Sequence, residues 1–284
     1  MTDAMDDCDT EEERANVKKH QIYGIEYEEG AFGLASTNML IHGDGNSNVI
    51  QASMFERGKW IKESNINVVL MNPPYNATRK VCDPQYVKNW DRKKKEDPSK
   101  GFHFVEWVAR HVSSTCKLAV LLPMQVAIGN TGEVRKFKEK MLSQYTLDAV
   151  FSLPNEIFYP GANAIACCMI FDLSQRHEKS DRETFFGYFK EDNFIKRKGL
   201  GRVEKTDADG KSLWSETEEL WLDLYKNRKV VPGLSVMQKV TYQDEWLAEA
   251  YMETDYTKLT EEDFQTTINN YFSYLVKEGY VYED

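Results

Sequence analysis

The motif with the most chemical content in this chain is Asn72-Pro73-Pro74-Tyr75, which directly follows the apolar segment INVVLM at 66–71. Two consecutive prolines fix φ and remove two backbone donors, so the chain leaves that segment along a rigid path. The Asn72 amide oxygen and the Pro73 carbonyl can then converge as two acceptors for both hydrogens of a planar exocyclic amine. Hydrogen bonding of this kind makes the amine nitrogen nucleophilic, and Tyr75 offers a ring that can stack on the base carrying it.

The same four residues have a simpler interpretation, as a Pro-Pro strand exit with an exposed tyrosine. Their position favours the chemical one, because ligands in doubly wound sheets bind at the carboxyl ends of the strands. An amine inside a nucleic-acid duplex must first be flipped out of the stack, which costs a few kcal/mol, and stacking on an aromatic side chain helps to offset that cost.

The elements around the motif alternate between strand and helix patterns. Strands are predicted at 20–26, 48–51, 66–71, 116–123, 147–154 and 164–172, and helices at 28–42, 102–112 and 131–144, with a turn at 43–48. The segment at 66–71 is β-branched and almost wholly apolar, which is typical of a strand covered on both faces. The alternation predicts an α/β fold with a mostly parallel sheet and helices on both faces.

Composition sets the broad class. The 284 residues carry 36 Lys and Arg against 46 Asp and Glu, a net charge of −10, and 41% are hydrophobic. No apolar run approaches the ~20 residues of a membrane helix, and the acidic N-terminus lacks the apolar region of a secretory signal. Five cysteines without a CxxC pair argue against structural disulfides and a thiolate zinc site. We therefore expect a cytoplasmic protein without a membrane segment or a metal site.

The sequence pattern changes after about residue 176, where charged and aromatic segments replace the strand–helix alternation. We place a domain boundary in 176–182, giving a first domain at 1–178 and a mostly helical C-terminal extension at 179–284 that contacts DNA or a partner.

Two tracts are rich in positive charge. The tract at 88–100 is either a phosphate-contacting or a solvated loop, and KRKGLGR at 196–202 places Lys196, Arg197 and Lys198 beside glycines that let backbone approach a phosphate.

Several segments in a fixed order carry a family resemblance. They are QIYGIEYEEGAFGLASTNMLIHGDGNSNVI, NVVLMNPPYN, LAVLLPMQVAIG and LDAVFSLPNEIFYPGANAIACCMIFD. Together they resemble the adenine-specific DNA methyltransferase, or modification, subunit of type I restriction–modification systems, in register from about residue 14 to 175. The resemblance implies a Rossmann-like sheet, S-adenosylmethionine as cofactor, and methyl transfer to the exocyclic amine of a flipped adenine in DNA.

By this resemblance, Asn72, Pro73 and Tyr75 hold the flipped adenine and Pro74 shapes the turn. Glu26, at the end of a strand, accepts hydrogen bonds from the cofactor ribose, the usual task of an acidic residue at that place. Phe158 follows a strand and offers a second face to the base, or else packs in the core.

The chain departs from the family pattern in two places. The family usually has Gly-Asp where this chain has Ala52-Ser53, so Ser53 supplies a weaker cofactor contact. The Gly-rich cofactor loop and the strand before it are not found ahead of residue 24. In the family that strand lies between the strands ending at Glu26 and Met71. We therefore expect a truncated methyltransferase whose open sheet edges are apolar and can self-associate, and which binds S-adenosylmethionine poorly.

Three functions follow from these observations. The first is the methyltransferase subunit itself, with DNA, a specificity subunit and a restriction subunit as partners. The second is a non-catalytic DNA-binding or assembly fragment of such a subunit. The third retains the NPPY chemistry but acts on a protein glutamine or on RNA. The acidic charge fits a subunit that handles one base while a specificity partner holds the duplex.

Overall fold

The computed structural model describes residues 2–43, 48–91, 93–179, 182–253 and 259–277. Most of the turn predicted at 43–48, and Arg92 of the charged tract, lie outside these residues. Within the described ranges, no helix combines the length and the apolar character needed to cross a lipid bilayer. The chain divides into two compact units, Met1–Leu147 with Met169–Asp181 and Asp148–Cys168 with Arg182–Asp284.

The predicted elements are found close to their expected places. The α-helices of the described residues are α1 Thr2–Asp6, α2 Glu11–His20, α3 Glu29–Ile41, α4 Gly58–Glu63, α5 Pro84–Lys88, α6 Phe102–Ala109, α7 Met124–Ile128, α8 Gly132–Leu142, α9 Trp214–Lys226 and α10 Glu261–Lys277. The strands are β1 Tyr23–Glu26, β2 Asn48–Gln51, β3 Val68–Met71, β4 Lys117–Pro123, β5 Thr146–Ser152, β6 Ala166–Asp172, β7 Thr184–Tyr188, β8 Phe194–Arg197, β9 Gly201–Glu204 and β10 Ser235–Gln238.

The strands form a mixed central sheet and two separate pairs. In the described residues the central sheet has the order β10-β7-β5-β6-β4-β3. Strand β3 pairs with β4 and β5 with β7 in parallel, whereas β10 pairs with β7 antiparallel. Strands β1 and β2 form their own parallel pair, with Glu26 opposite Gln51, and β8 and β9 form an antiparallel ribbon. The α/β class is confirmed.

Helix α6 lies at the centre of the first unit. All eight of its residues are buried, and Phe102 and Val105 have no exposed surface. The neighbouring strand β4 contributes Leu118 and Leu122, also without exposed surface. The sequence of α6 is mostly apolar, and a helix that is buried on every side is expected in the interior of a domain. Gly101 begins α6 in the left-handed region at φ 90°, a conformation that favours glycine.

Strand β3 differs from its prediction. The sequence predicts a strand covered on both faces, but Val68 is 62% exposed and Leu70 84% exposed. Strand β3 ends the central sheet, and its residues line a cleft that β1 lines from the other side. The apolar run that indicates burial is therefore present, while the element that would bury it is not among the described residues.

The second unit contains strands as well as the predicted helices. Strands β7 and β10 extend the central sheet beyond β5, and Phe185, Phe186 and Trp246 form a core without exposed surface. Asp148 of β5 is tied to the helical part of this unit, because it forms an ion pair with Arg228 at 2.6 Å. Long-range pairing of this kind leaves no local sequence pattern.

Candidate active site

The structure places the Asn-Pro-Pro-Tyr motif directly after β3, as its sequence position predicts. Asn72 and Pro74 are exposed, Pro73 is buried, and Tyr75 is half-buried. The Tyr75 hydroxyl donates a hydrogen bond to Asn72 Oδ1 over 3.2 Å. The amide oxygen proposed as an acceptor for an amine is thus already presented to a donor beside it.

A cleft of about 550 Å³ brings together the predicted residues of the first unit except Tyr75, which is not among its lining residues. Its lining includes Glu26, Ser53, Asn72, Pro73 and Pro74. Its volume is in the range of small-molecule sites. Glu26 is the last residue of β1, Ser53 lies two residues after β2, and Asn72 directly follows β3. The cleft therefore joins the carboxyl ends of strands from two sheets. In doubly wound folds that is where ligands bind.

Backbone contacts fix Glu26 and Ser53 beside each other. The Ala52 N–H donates to the Glu26 carbonyl at 3.0 Å, which places Ser53 next to the end of β1. The Glu26 carboxylate accepts from the Glu28 N–H at 2.8 Å. This bond orients a carboxylate at the cleft, where it can accept a further hydrogen bond from a ligand hydroxyl.

The cleft has an apolar wall beside these polar groups. Met54, Phe55, Met71, Val81 and Phe104 contribute to it. Met54, Phe55 and Met71 also pack against a buried cluster formed by Ala77, Cys82, Trp90 and Phe104. A pocket with a mostly apolar lining and a few converging polar groups can hold a ligand that has a flat ring and hydroxyl groups.

A buried acidic residue next to the motif was missed by the sequence analysis. Asp97 and Ser99 have no exposed surface, although they belong to the charged tract at 88–100. Burial alone would raise the pKa of Asp97, but hydrogen bonds from His103, Gly101 and Ser99 outweigh it and hold the pKa below the usual value. His103 is 2% exposed, and its Nδ1 lies 3.1 Å from Asp97 Oδ2. No local pattern in such a tract signals a buried carboxylate.

The remaining predicted residues belong to the second unit. Phe158 is half-buried in the loop after β5. Lys196 and Arg197 end β8, and Lys198 lies in the turn that leads to β9, with all three side chains exposed. Lys196 forms an ion pair with Glu156 at 2.5 Å and lies over the Tyr159 ring, which attaches the β8–β9 ribbon to the loop that carries Phe158.

Comparison with known proteins gives these features a family. The family model described as N-6 DNA Methylase matches residues 6–278. The type II restriction enzyme and methyltransferase RM.BcgI of Heyndrickxia coagulans is 27% identical over 289 residues, which cover 100% of this chain and 42% of that protein. The type I restriction enzyme EcoEI methylase subunit of Escherichia coli is 24% identical over 148 residues, 50% of this chain and 28% of that subunit.

A solved structure is similar in fold. The methyltransferase subunit of a type I restriction–modification system from Streptococcus thermophilus superposes with a TM-score of 0.55 at 22% identity, covering 76% of this chain and 44% of that one. The chain thus spans less than half the length of each of these three relatives. Since the family model matches nearly the whole sequence, the chain belongs to the N-6 DNA methylase family.

Proposed function

We propose that this chain forms the adenine-binding and methyl-transferring part of an N6-adenine DNA methyltransferase in a restriction–modification system. One observation carries the proposal: a single cleft is lined by the Asn72-Pro73-Pro74 turn and by Glu26 and Ser53. Family membership supports the reaction class, and the type I and type II restriction relatives support the biological setting.

In the proposed reaction the chain binds and polarises a flipped adenine. The exocyclic amine donates one hydrogen to Asn72 Oδ1 and the other to the Pro73 carbonyl, which increases electron density on its nitrogen. Tyr75 stacks on the purine. The nitrogen would take up the methyl group as the bond from that methyl carbon to its sulfonium sulfur breaks, with the electron pair staying on sulfur, and would then lose a proton to solvent. Catalysis is therefore mainly positioning and electrostatic stabilisation.

The residues of the cleft fit S-adenosylmethionine as the cofactor. Glu26 would accept hydrogen bonds from the ribose hydroxyls, the Ser53 hydroxyl would contact the cofactor adenine, and the apolar wall would take the flat surface of that ring. The volume of about 550 Å³ accommodates a ligand of this size. When bound, the cofactor supplies a methyl group on a sulfonium, an intrinsically good leaving group.

The open cleft between β1 and β3 supports a further element in the functional enzyme. We propose that the domain at 1–178 is completed by one more strand, with a Gly-rich cofactor loop, lying between these two strands. The exposed Val68 and Leu70 would then become buried. Without that strand, the same apolar edge favours self-association.

Contacts with DNA and partners belong to the extension at 179–284. We propose that Lys196, Arg197 and Lys198 contact the phosphate backbone, where they add affinity without reading sequence. Sequence recognition then falls to a specificity subunit, and cleavage to a restriction subunit, which fits a chain with net charge −10.

Methyl transfer from radiolabelled S-adenosylmethionine tests the proposed function. The chain is assayed alone and with the proteins that co-purify from its native cells, on DNA free of N6-methyladenine, on RNA and on a glutamine-containing protein. We expect label in DNA as N6-methyladenine, identified by mass spectrometry, and its loss in Asn72→Ala. Label in RNA, in glutamine or in cytosine refutes the proposal, and DNA binding without label favours the non-catalytic fragment.

A further inference from the structure

The segment 96–101, called here the 96–101 turn, is fastened to the chain that follows the Asn-Pro-Pro-Tyr motif. The Asp97 N–H donates to the Ala77 carbonyl at 2.9 Å. Thr78 and Glu96 form an antiparallel bridge immediately beside it. The two segments therefore run along each other as a short ladder, so a displacement of one is transmitted to the other.

Two further features bring the 96–101 turn close to the motif. Lys100 Nζ donates to Asn76 Oδ1 at 2.8 Å, one residue beyond the tyrosine of the motif. Gly101 lies against the two prolines: a Cβ placed on it would be 3.2 Å from Pro73 Cγ and 3.5 Å from the Pro74 carbonyl oxygen. Gly101 has φ 90°, so the close approach depends on a backbone conformation that glycine adopts most readily.

The buried carboxylate of Asp97 holds the 96–101 turn in that conformation by accepting hydrogen bonds from its backbone. Its Oδ2 accepts from the Gly101 N–H at 2.7 Å and lies 3.1 Å from His103 Nδ1. Its Oδ1 accepts from the Ser99 N–H at 2.8 Å and from the Tyr86 hydroxyl at 3.0 Å. Both oxygens of a fully buried carboxylate are thus engaged, and one of the donors is the glycine that touches Pro73.

We propose that Asp97 is a positioning residue for the adenine site, acting through Gly101 on the Pro73-Pro74 turn. The Asp97–Gly101 bond sets where Gly101 lies, Gly101 limits where the Pro73 ring can lie, and the ring sets the direction of the Pro73 carbonyl. Asp97 thereby fixes the spacing of the two acceptors, Asn72 Oδ1 and the Pro73 carbonyl, without touching the base. The inference rests on the proposed function.

Two substitutions test the series of contacts from Asp97 through Gly101 to Pro73. One alters Asp97 and the other alters Gly101. Asp97→Asn replaces one acceptor oxygen with an amide that cannot accept from all of the N–H and O–H donors around it. Gly101→Ala leaves Asp97 intact but pushes a Cβ against Pro73 and strains the backbone at a positive φ. Asp192→Asn is the matched control, since Asp192 is also buried and is paired with Arg202 in the second unit.

The readout is discrimination between two single-stranded oligonucleotides that differ at one base, adenine or purine, the latter lacking the exocyclic amine. We expect the unaltered chain to bind the adenine oligonucleotide about tenfold more tightly than the purine oligonucleotide, because two hydrogen bonds to the amine each contribute a modest net free energy. Asp97→Asn and Gly101→Ala should each reduce this ratio to about twofold while binding to the purine oligonucleotide stays unchanged, and Asp192→Asn should retain the ratio.

Amide hydrogen exchange of the unliganded chain supplies a second measurement. Both variants should accelerate exchange across 72–78 but leave β4 protected. The inference is wrong under three joint results. The unaltered chain prefers the adenine oligonucleotide, Asn72→Ala abolishes this preference, and both Asp97→Asn and Gly101→Ala retain it. If the unaltered chain shows no discrimination, the proposed adenine site itself fails, and the inference fails with it. Should Asp97→Asn not fold, Gly101→Ala alone decides the outcome.

Discussion

Tyr75 donates its hydroxyl hydrogen to Asn72 Oδ1 across 3.2 Å, within the four-residue turn that follows β3. The bond holds the amide in one orientation, with its oxygen toward the tyrosine ring. A base that stacks on Tyr75 therefore meets an acceptor at its edge. An amine that binds there either shares Oδ1 with the hydroxyl or displaces it.

The first prediction separates the ring of Tyr75 from its hydroxyl. Tyr75→Phe retains stacking and loses one exposed hydrogen bond, so adenine-oligonucleotide affinity should change less than about threefold. Tyr75→Ala also removes the stacking surface, which contributes about 1–3 kcal/mol per base, and should weaken binding by roughly tenfold or more. Fluorescence titration of both variants checks this, and equal losses in the two would contradict a stacking role.

A second prediction concerns Ser53, at the position where the family resemblance implies an aspartate. The unaltered chain alone should bind S-adenosylmethionine more weakly than micromolar, because the cleft is open on the β3 side. Ser53→Asp should tighten binding by roughly tenfold through a charge-assisted hydrogen bond, and Glu26→Gln should weaken it to a similar extent.

Calorimetric titration measures both changes, with Gln51→Asp as the control for added charge near the end of β2. Micromolar binding by the unaltered chain would show that the cleft needs no further strand. An equal gain from Gln51→Asp would assign the effect of Ser53→Asp to charge alone.

The exposed edge of β3 gives a third prediction. At rising concentration the chain should self-associate, and Leu70→Lys should reduce association, because a charge on an edge strand opposes edge-to-edge pairing. Thermal stability should change little, since Leu70 is 84% exposed. Sedimentation velocity is compared with Leu34→Lys, which alters a similarly exposed leucine on α3. Equal effects of the two substitutions would exclude a role for the edge.

The β8–β9 ribbon supplies a fourth prediction. Combined Arg197→Glu and Lys198→Glu should flatten the salt dependence of duplex binding by roughly 0.9 in log–log slope for each phosphate that the protein no longer neutralises. Lys196→Glu should add less, because Lys196 is already paired with Glu156. Lys59→Glu with Lys62→Glu in the first unit is the control for net charge. An unchanged slope in the ribbon variant would show that these residues do not touch DNA.

The fifth prediction follows from the lowered pKa of Asp97. A carboxyl whose pKa is lower in the folded chain stabilises it above the unfolded value near 3.8, and this contribution is lost as the pH falls through the folded value. Asp97→Asn should therefore reduce the free energy of unfolding by about 2 kcal/mol at pH 7. The difference should shrink progressively below pH 4, and urea unfolding at several pH values measures it. A difference independent of pH would contradict this.

Sequence patterns predict the parts of this molecule that are locally determined. Helix α3 follows from apolar spacing and β4 from an apolar run of strand length, and the Pro-Pro turn is visible directly because proline restricts its own backbone. The burial of Asp97 is not visible, because a charged tract with six Lys and Arg looks solvated until donors from Ser99, Gly101 and Tyr86 are placed around one carboxylate.

The error at β3 has a different cause. An apolar run indicates that the side chains of a strand need packing partners to bury them. It does not indicate whether those partners are present. Val68 and Leu70 carry the signature of burial and remain exposed. The pairing of β7 with β5 and β10 was equally invisible, because it joins segments that are distant in the chain.

Gly101 lies close to Pro73, because a Cβ placed on it would be 3.2 Å from Pro73 Cγ. It directly precedes helix α6, whose first residue, Phe102, has no exposed surface. The residue that packs beneath the proposed adenine site therefore directly precedes the first turn of a buried helix. Heating, or a substitution that destabilises α6, should also displace the two acceptors, Asn72 Oδ1 and the Pro73 carbonyl, because Gly101 connects the helix directly to Pro73. We therefore expect base recognition at the proposed site to be lost together with the cooperative unfolding of the first unit.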